Sequence, residues 1–265
     1  MTNQSNKQKV LNALKNKNLV KIISGIQNYS KQKSLDVAMA SELGGATALD
    51  ICDDLEIIEP LRSLVQLPIF VSSIDPIKLV AAQYIGADVL EIGNYESFYK
   101  QGKLFTASEV LEIASFVKKS ITNDVLICCT IPATLEIKNQ IKLAKDLIDL
   151  GIDILQTEGF AFDTPGSERN DVTFTDILKA ASTLANTVEL RKALGKANII
   201  CASGITSITV PFAISAGASG VGIGTYVNSL SNQVEMTEKV KEIMTCVNDF
   251  VPKSLEYLKT PVLQK

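Results

Sequence analysis

The sequence contains no histidine and no tryptophan, and only three of its 265 residues are arginine. Without histidine, the chain lacks the side chain that most often acts as an acid or base near neutral pH, and it lacks every Ser/His and Cys/His nucleophile pair. Zinc sites that depend on imidazole are excluded for the same reason. Any proton transfer must therefore fall to carboxylates or lysines, whose pKa values are moved by burial and by neighbouring charges.

Long hydrophobic runs are also missing. The longest apolar stretches run for about seven or eight residues, well short of the ~20 that a membrane-spanning helix needs. The net charge of −3 comes with no extended block of Lys and Arg, which argues against a nucleic-acid partner. The Lys-rich segment 7–17 is the one basic stretch, and we interpret it as a solvated helix face. We therefore expect neither a membrane nor a nucleic acid as partner.

The cysteines and the chain termini carry little functional signal. The five cysteines are odd in number and lie mostly in apolar segments, which is typical of reduced core thiols. Residues 1–18 carry neither an apolar signal core nor an arginine, so we expect no cleaved targeting peptide. The composition predicts one domain over 19–250, with an N-terminal helical extension, 1–18, and a C-terminal tail, 251–265.

A recurring pattern of glycine and strand predicts the fold. Four times a helix-like segment ends at a glycine that fits a left-handed C-cap, and an apolar strand follows within two residues; the glycines are Gly45, Gly86, Gly151 and Gly217. The strands are too uniformly apolar to have one face in water. Eight strand signals alternate with helix signals, near 19–24, 47–52, 68–72, 88–92, 125–130, 152–157, 198–202 and 219–224. This alternation predicts an α/β fold, a single (βα)8 TIM barrel with a short N-terminal helix; an open doubly wound sheet is the alternative.

Helix signals lie between the strands. Asp75 and Pro76 fit an N-cap followed by proline at the first helical position, and Thr106 with Glu109 fits a capping box. Apolar residues recur at spacings of three and four, as in helices that pack one face on a sheet; the stretches are 35–43, 77–85, 110–117, 137–150 and 234–247.

Charged or amide residues interrupt four of the apolar strands. Lys21 lies in LVKIIS, Asp50 in ALDIC and Glu91 in VLEIG, while Gln156 and Glu158 share ILQTEG. A charge in a buried strand is costly unless it is paired, so Lys21 is predicted to point inward and to meet Asp50, Glu91 or both. Because TIM barrels react at the carboxyl ends of their strands, we assign Lys21, Asp50, Glu91 and Glu158 as candidate catalytic residues. A structural ion pair inside the barrel is the alternative.

The role of Lys21 depends on its protonation. A Schiff base with a carbonyl substrate needs a neutral amine, whereas adjacent carboxylates would keep the amine protonated. We therefore favour a fixed cation. Carboxylates at the barrel mouth could also hold Mg²⁺, although their spacing requires no metal. The sequence therefore does not identify a cofactor.

Two glycine-rich loops follow the last two predicted strands, CASGI and GIGT, and a short segment, YVNSL, comes after the second. Small residues there let backbone amides and a helix N-terminus close around a phosphate. The alternative is that the glycines only permit tight turns. The candidate phosphate- and substrate-binding residues are Ser203, Gly204, Gly222, Gly224, Thr225 and Gln156.

Two long loops are expected to form the walls of the site. The segment 93–105 carries four aromatic residues that could stack over a ligand or bury themselves in a compact loop. The segment 159–171 has a length that is more often functional than idle. Its Arg169 could clamp an anion, and an exposed arginine is the alternative.

Several motifs lie along the chain: KIISG at 21–25, ELGGAT at 42–47, PIFVSS at 68–73, GADVLEIGN at 86–94, LQTEG at 155–159, CASGI at 201–205 and GVGIGT at 220–225. Together they resemble the hypothetical chloroplast open reading frame 23 family of algal plastid genomes and cyanobacteria. The likeness covers about residues 10 to 250. It implies a barrel similar to ribulose-phosphate-binding and aldolase-type barrels, in the plastid stroma or, in a cyanobacterium, in the cytoplasm.

The leading hypothesis is an enzyme that binds a small phosphorylated metabolite at the glycine-rich loops. Lys21, Asp50 and Glu91 would act on its carbonyl or hydroxyl end in a lyase, isomerase or aldol-type step. A non-enzymatic ligand sensor or assembly protein is the alternative, and a barrel without a ligand is a third reading. A homo-oligomer stays open, because no patch in the sequence identifies an interface.

Overall fold

The computed structural model describes residues 5–99, 101–122, 124–161 and 172–257. Eight parallel strands pair in chain order and close into a barrel; they are β1 (Leu19–Ile23), β2 (Ala48–Cys52), β3 (Ile69–Ser73), β4 (Val89–Ile92), β5 (Leu126–Ile131), β6 (Ile154–Thr157), β7 (Ile199–Ala202) and β8 (Gly220–Ile223). Closure comes from the pairing of β8 with β1. All eight predicted strands are present near their predicted positions, so the predicted TIM barrel is confirmed and the open sheet is wrong.

Helices alternate with these strands. Within the described ranges they are α1 (Asn6–Lys15), α2 (Lys31–Gly44), α3 (Leu55–Leu64), α4 (Pro76–Ala82), α5 (Glu96–Tyr99), α6 (Ala107–Ser120), α7 (Ile137–Asp149), α8 (Val172–Leu194), α9 (Val210–Ser215), α10 (Thr225–Asn228) and α11 (Gln233–Tyr257). The last helix continues past residue 250, where the sequence placed the start of a tail. No helix in the described ranges has the length and apolar character needed to cross a membrane.

The predicted N-caps of α4 and α6 and the glycine C-cap of α2 are confirmed, whereas α4 ends at Ala82, before Gly86. The Asp75 side chain accepts hydrogen bonds from two backbone amides in the first turn of α4, and Thr106 and Glu109 form the reciprocal capping box of α6. Gly45 ends α2 in the left-handed conformation, with φ 81°. Such caps set where each helix stops, and therefore where the next strand enters the barrel.

The barrel interior is apolar at its amino-terminal end. One side chain from almost every strand joins a buried layer there, and α1 covers this layer with Val10, Ala13 and Leu14; the strand residues are Leu19, Ala48, Phe70, Val89, Leu126, Cys128, Ile154 and Ile200. Because side chains alternate across a strand, the next inward positions lie two residues further along. On six of the eight strands those positions are polar, namely Lys21, Asp50, Ser72, Glu91, Thr130 and Gln156, whereas β7 and β8 carry Ala202 and Gly222 there. This places a polar layer toward the carboxyl ends of β1 to β6.

A second and larger apolar cluster lies between the strands and the surrounding helices. It explains why the strands read as continuous hydrophobic runs, since both of their faces are buried. All five cysteines are free, and Cys246 is the one that is not fully buried.

Candidate functional site

The polar layer of the barrel centres on Lys21. Its side chain is completely buried, and its Nζ lies 3.0 Å from Asp50 Oδ2 and also contacts Glu91 Oε2. Below it, the Phe70 ring centroid lies 4.9 Å from Nζ, close enough for a cation–π contact. The structure thus brings Lys21 together with both carboxylates, as its position in a buried strand predicts.

Amides and hydroxyls complete this network. Ser72 Oγ donates to Asp50 Oδ1 at 2.6 Å, and Asn94 Nδ2 donates to Asp50 Oδ2 at 3.1 Å. Gln156 Nε2 donates to Glu91 Oε1 at 2.7 Å and to Asn94 Oδ1 at 2.8 Å. Every carboxylate oxygen of the pair therefore has a partner, which is what buried charges require.

Sequence reasoning missed three members of this layer: Ser72, Asn94 and Thr130. Thr130 Oγ1 lies 3.4 Å from Glu91 Oε1. Asn94 follows Gly93 at the end of β4 and has φ 63°, a left-handed conformation that asparagine tolerates better than most residues. A Gly-Asn pair after a strand is a turn signal that could have pointed to it.

One polar atom in the network has no partner. Gln156 Oε1 is buried and accepts no hydrogen bond from the described residues, because the amide nitrogen of Gln156 is the end turned toward Glu91 and Asn94. The oxygen lies 3.3 Å from where a Cβ would stand on Gly222. A buried acceptor without a donor costs about 1–3 kcal/mol.

The electrostatics separate the roles of Lys21 and Glu91. Burial alone lowers the pKa of Lys21, but attraction by Asp50 and Glu91 outweighs it and leaves that pKa above its ordinary value. Burial raises the pKa of Glu91 to about 7, with repulsion by Asp50 adding to the effect and attraction by Lys21 opposing it. Lys21 is therefore a cation at neutral pH, whereas Glu91 can gain or lose a proton there.

Glu158 belongs to a different cluster. It lies just beyond β6, where its carboxylate accepts from the Glu96 backbone N–H and from Tyr99 Oη, each at 2.7 Å. No hydrogen bond in the described part of the chain joins it to Lys21. Burial raises the pKa of Glu158 to about 8; the hydrogen bond from Tyr99 opposes this rise and the charge of Glu96 adds to it.

The aromatic loop after β4 is compact. Tyr95 and Phe105 are buried with ring centroids 4.4 Å apart, and Tyr99 meets Phe160 edge-on with centroids 5.4 Å apart. This favours the self-packed alternative for the segment 93–105. In the segment 159–171, Arg169 lies outside the described residues, so its predicted role stays a prediction.

The glycine-rich loops divide into packed and open positions. A Cβ on Gly204 would lie 2.2 Å from the Asp176 carbonyl oxygen, and one on Gly222 would lie 3.0 Å from Ala202 Cβ. Close packing therefore explains why glycine occupies both positions. A Cβ on Gly224 would meet its nearest neighbours only at 3.8 and 3.9 Å, so there is room beside this residue.

Gly224 and Thr225 form the start of α10 at the barrel mouth. Gly224 is the N-cap, and α10 is tied to the end of β1 because Asn228 Nδ2 donates to the carbonyl oxygens of Ile23 and Ser24. The first amides of a helix have no partner within it, so they are available to an anion. Ser203, at the end of β7, has φ 76°. Within the described ranges, no three metal-ligating side chains form a group that could hold an ion.

The fold defines the class of protein, a TIM barrel, and solved structures share this fold. A structure described as "Native KDPGal structure" matches with a TM-score of 0.62 and 13% identity, over 88% of this chain and 96% of that one. A 3-hexulose-6-phosphate synthase gives 0.59 and 14%, over 86% and 98%, and a thiamine phosphate pyrophosphorylase from Pyrococcus furiosus gives 0.58 and 16%, over 89% and 98%. At such identities the likeness shows the fold alone.

Within this class, residues 4–251 match the family described as "Protein of unknown function (DUF561)", and the chain belongs to it. The "Uncharacterized protein ycf23" of Pyropia yezoensis is 42% identical over 231 residues, which cover 87% of this chain and 83% of the relative. The protein of that name from Cyanidium caldarium is 36% identical over 244 residues, 91% of this chain and 96% of the relative. The predicted family is confirmed.

Proposed function

We propose that the protein binds a small phosphorylated metabolite at the carboxyl end of the barrel and acts on its carbonyl or hydroxyl end in a lyase, isomerase or aldol-type step. The observation that carries this proposal is the Lys21 network, with the unpartnered Gln156 Oε1 on the side of β8. The similar structures support it, since two of them are named for phosphorylated compounds. The site of action we propose is the plastid stroma, or the cytoplasm of a cyanobacterium.

The phosphate end of the ligand is assigned to the loops after β7 and β8. The residues assigned there are Ser203, Gly224 and Thr225, none of which is buried, and the first backbone amides of α10 would supply the donors. Gly204 and Gly222 contribute by allowing α8 and the neighbouring strands to approach closely. Gln156 Oε1 would accept a hydrogen bond from a ligand hydroxyl.

The reacting end is assigned to Lys21, Asp50 and Glu91. The raised pKa of Lys21 disfavours the neutral amine that a Schiff base needs. We therefore favour a fixed cation that stabilises negative charge developing on an oxygen. Glu91 has the pKa that suits proton transfer near pH 7. Asn94 is the half-exposed member of the network and positions Asp50 at the barrel mouth.

A specific observation favours the second candidate, a ligand sensor without catalysis. Lys21, Asp50 and Glu91 are at most 1% exposed, and every oxygen of the two carboxylates is already hydrogen-bonded. A saturated network of this kind also serves as a polar plug. In that case a ligand would bind at Ser203 and Thr225 without turnover.

Replacing Thr225 by aspartate is expected to abolish phosphate binding. Thr225 is exposed and is the first residue of α10, where aspartate is tolerated and places a negative charge at the proposed anion site. In a thermal-shift screen against phosphate, sulfate and phosphorylated sugars, a ligand at about 100 times its dissociation constant adds about 2.7 kcal/mol. For a domain of this size the melting temperature should rise by roughly 5–10 °C.

Thr225→Asn is the matched control, because it has the same shape as the aspartate without the charge. We expect the wild type and Thr225→Asn to be stabilised by the same compounds, and Thr225→Asp by none. Equal stabilisation of all three proteins would show that the phosphate group does not bind at these loops. No stabilisation of the wild type by any compound would favour the assembly or structural reading.

A further inference from the structure

A cavity lies at the amino-terminal end of the barrel, opposite the Lys21 network. It is open to solvent, has a volume of about 910 Å³, and is enclosed by the end of α1, by the turns before β7 and β8, and by Phe250 of α11. In TIM barrels this end normally serves stability, whereas reactions take place at the other end. The volume falls within the range of about 300–1,000 Å³ of small-molecule sites. Neither the Lys21 network nor the α10 loop reaches this cavity.

The lining is strongly basic. Among the described residues that line the cavity are four cations and no carboxylate, in a chain whose net charge is −3; the cations are Lys15, Lys17, Arg191 and Lys196. In the described part of the chain, none of the four forms an ion pair. Their charges are therefore uncompensated by side chains, which is unusual for a cluster in an acidic protein.

Arg191 is held in place by neutral acceptors. Its Nε donates to the Gly217 carbonyl oxygen at 2.8 Å, its Nη2 lies 3.3 Å from Ser219 Oγ, and its Nη1 contacts the Gly195 carbonyl oxygen. A Cβ on Gly217 would lie 2.6 Å from Arg191 Cγ, so the glycine makes room for the arginine. The guanidinium is thus fixed in orientation and keeps its full charge.

Helix ends account for only part of this positive charge. The helices α1, α8 and α9 end beside the cavity, and each carboxyl end carries about half a negative charge, or about 1.5 charges together. Four positive charges face them. The excess of more than two positive charges favours an anion in this cavity.

The remaining lining is mixed: Asn198, Ser215 and Ser219 are polar, and the large apolar residues are Leu14, Ile214 and Phe250. Leu14 and Ile214 are buried at the base of the cavity, and Phe250 is half-buried beside them. We propose that this cavity binds a small organic anion in which a phosphate or carboxylate group is joined to an aromatic or aliphatic body. The lysines and Arg191 would bind the charged group, and Leu14, Ile214 and Phe250 would bind the apolar body.

The test uses 8-anilinonaphthalene-1-sulfonate, a fluorescent anion with an aromatic body, titrated into the full-length protein. We expect one saturable site whose affinity falls as NaCl is added. In the Lys15→Gln/Lys196→Gln double variant the affinity should fall by at least about tenfold. Tripolyphosphate, which has charge but no apolar body, should displace the probe only weakly.

Lys192→Gln is the matched control, because Lys192 lies on α8 next to Arg191 but outside the lining, where it pairs with Glu189. It should bind the probe like the wild type, and so should Thr225→Asp, which separates this cavity from the proposed phosphate site. Lys15 and Lys196 are exposed, so the double variant should melt at the wild-type temperature. Unchanged affinity in the double variant, or no saturable binding by the wild type, would overturn the proposal.

Discussion

Replacing Lys21 by methionine should lower the free energy of unfolding by about 3–5 kcal/mol at pH 8, because it leaves two buried carboxylates without their shared cation. Methionine is similar in size to lysine and cannot donate to either carboxylate. Asp50 keeps its bonds from Ser72 and Asn94. Glu91 keeps the bond from Gln156 and weaker contacts with Thr130 and the Cys128 thiol. The loss should be measured by urea unfolding.

The deficit of this variant should shrink as the pH falls. Attraction by Lys21 lowers the pKa of Glu91, so without Lys21 that pKa rises further above about 7. A carboxyl whose pKa is raised in the folded state contributes stability that is fully present below the unfolded pKa and is lost as the pH rises through the folded pKa. The variant should therefore be closer to the wild type at pH 6 than at pH 8.

The double variant Lys21→Met/Glu91→Gln is the control for the charge argument. It removes the carboxylate that Lys21 contacts most closely, and it should recover at least about 1 kcal/mol of the loss at pH 8. If the free energy of unfolding of Lys21→Met at pH 8 lies within about 1 kcal/mol of the wild-type value, the argument is contradicted. The two carboxylates would then not be unpaired and shielded from water in this variant.

The single variant Lys21→Met also separates catalysis from binding. If Lys21 stabilises developing negative charge, turnover of an identified substrate should fall by about 10²–10³, while stabilisation by phosphate persists because the α10 loop is untouched. A Lys21→Met protein that folds, binds and turns over substrate like its parent would reject the catalytic role. Persistent binding with no turnover by either protein would favour the sensor.

Replacing Glu158 by glutamine should raise the free energy of unfolding at pH 8.5 by a few kcal/mol. The wild-type carboxyl is buried and its pKa is raised to about 8 from 4.5, and each pKa unit corresponds to about 1.4 kcal/mol. Because this pKa is raised in the folded state, protonation of Glu158 contributes stability that is fully present below about pH 4.5. That stability is lost as the pH rises through about 8. Glutamine is neutral at every pH, so the Glu158→Gln variant should not lose this stability as the pH rises.

Glutamine also suits the contacts of Glu158. Its oxygen can accept from the Glu96 backbone N–H, and its amide can donate to Tyr99 Oη, which accepts as readily as it donates. Urea unfolding at pH 5.5, 7 and 8.5 should show a flatter profile than the wild type, with the remaining slope due largely to Glu91. Glu59→Gln, at an exposed position on α3, is the control and should keep the wild-type profile. Identical slopes for Glu158→Gln and wild type would show that Glu158 is ionised and hydrated.

Part of the site followed from the sequence because charge in a buried strand is conspicuous. Lys21, Asp50 and Glu91 were predicted to meet, and they do. Ser72 and Thr130 were missed because a neutral hydroxyl in an apolar strand costs little and gives no such signal. Glu158 was grouped with Lys21, Asp50 and Glu91 because it shares the motif ILQTEG with Gln156. In the structure it lies one residue beyond β6 and turns toward Glu96 and Tyr99.

The sequence by itself determined the barrel, since its evidence is local: apolar runs that mark strands, glycines that end helices, and caps such as Asp75 and Thr106. Only the tertiary structure decided which distant residues meet. Asn94 joins Asp50, α1 closes the amino-terminal end, and Lys15 comes beside Arg191 across the cavity. The physical reason is that these contacts depend on strand register and on the closure of β8 onto β1, which are properties of the whole barrel and not of any segment.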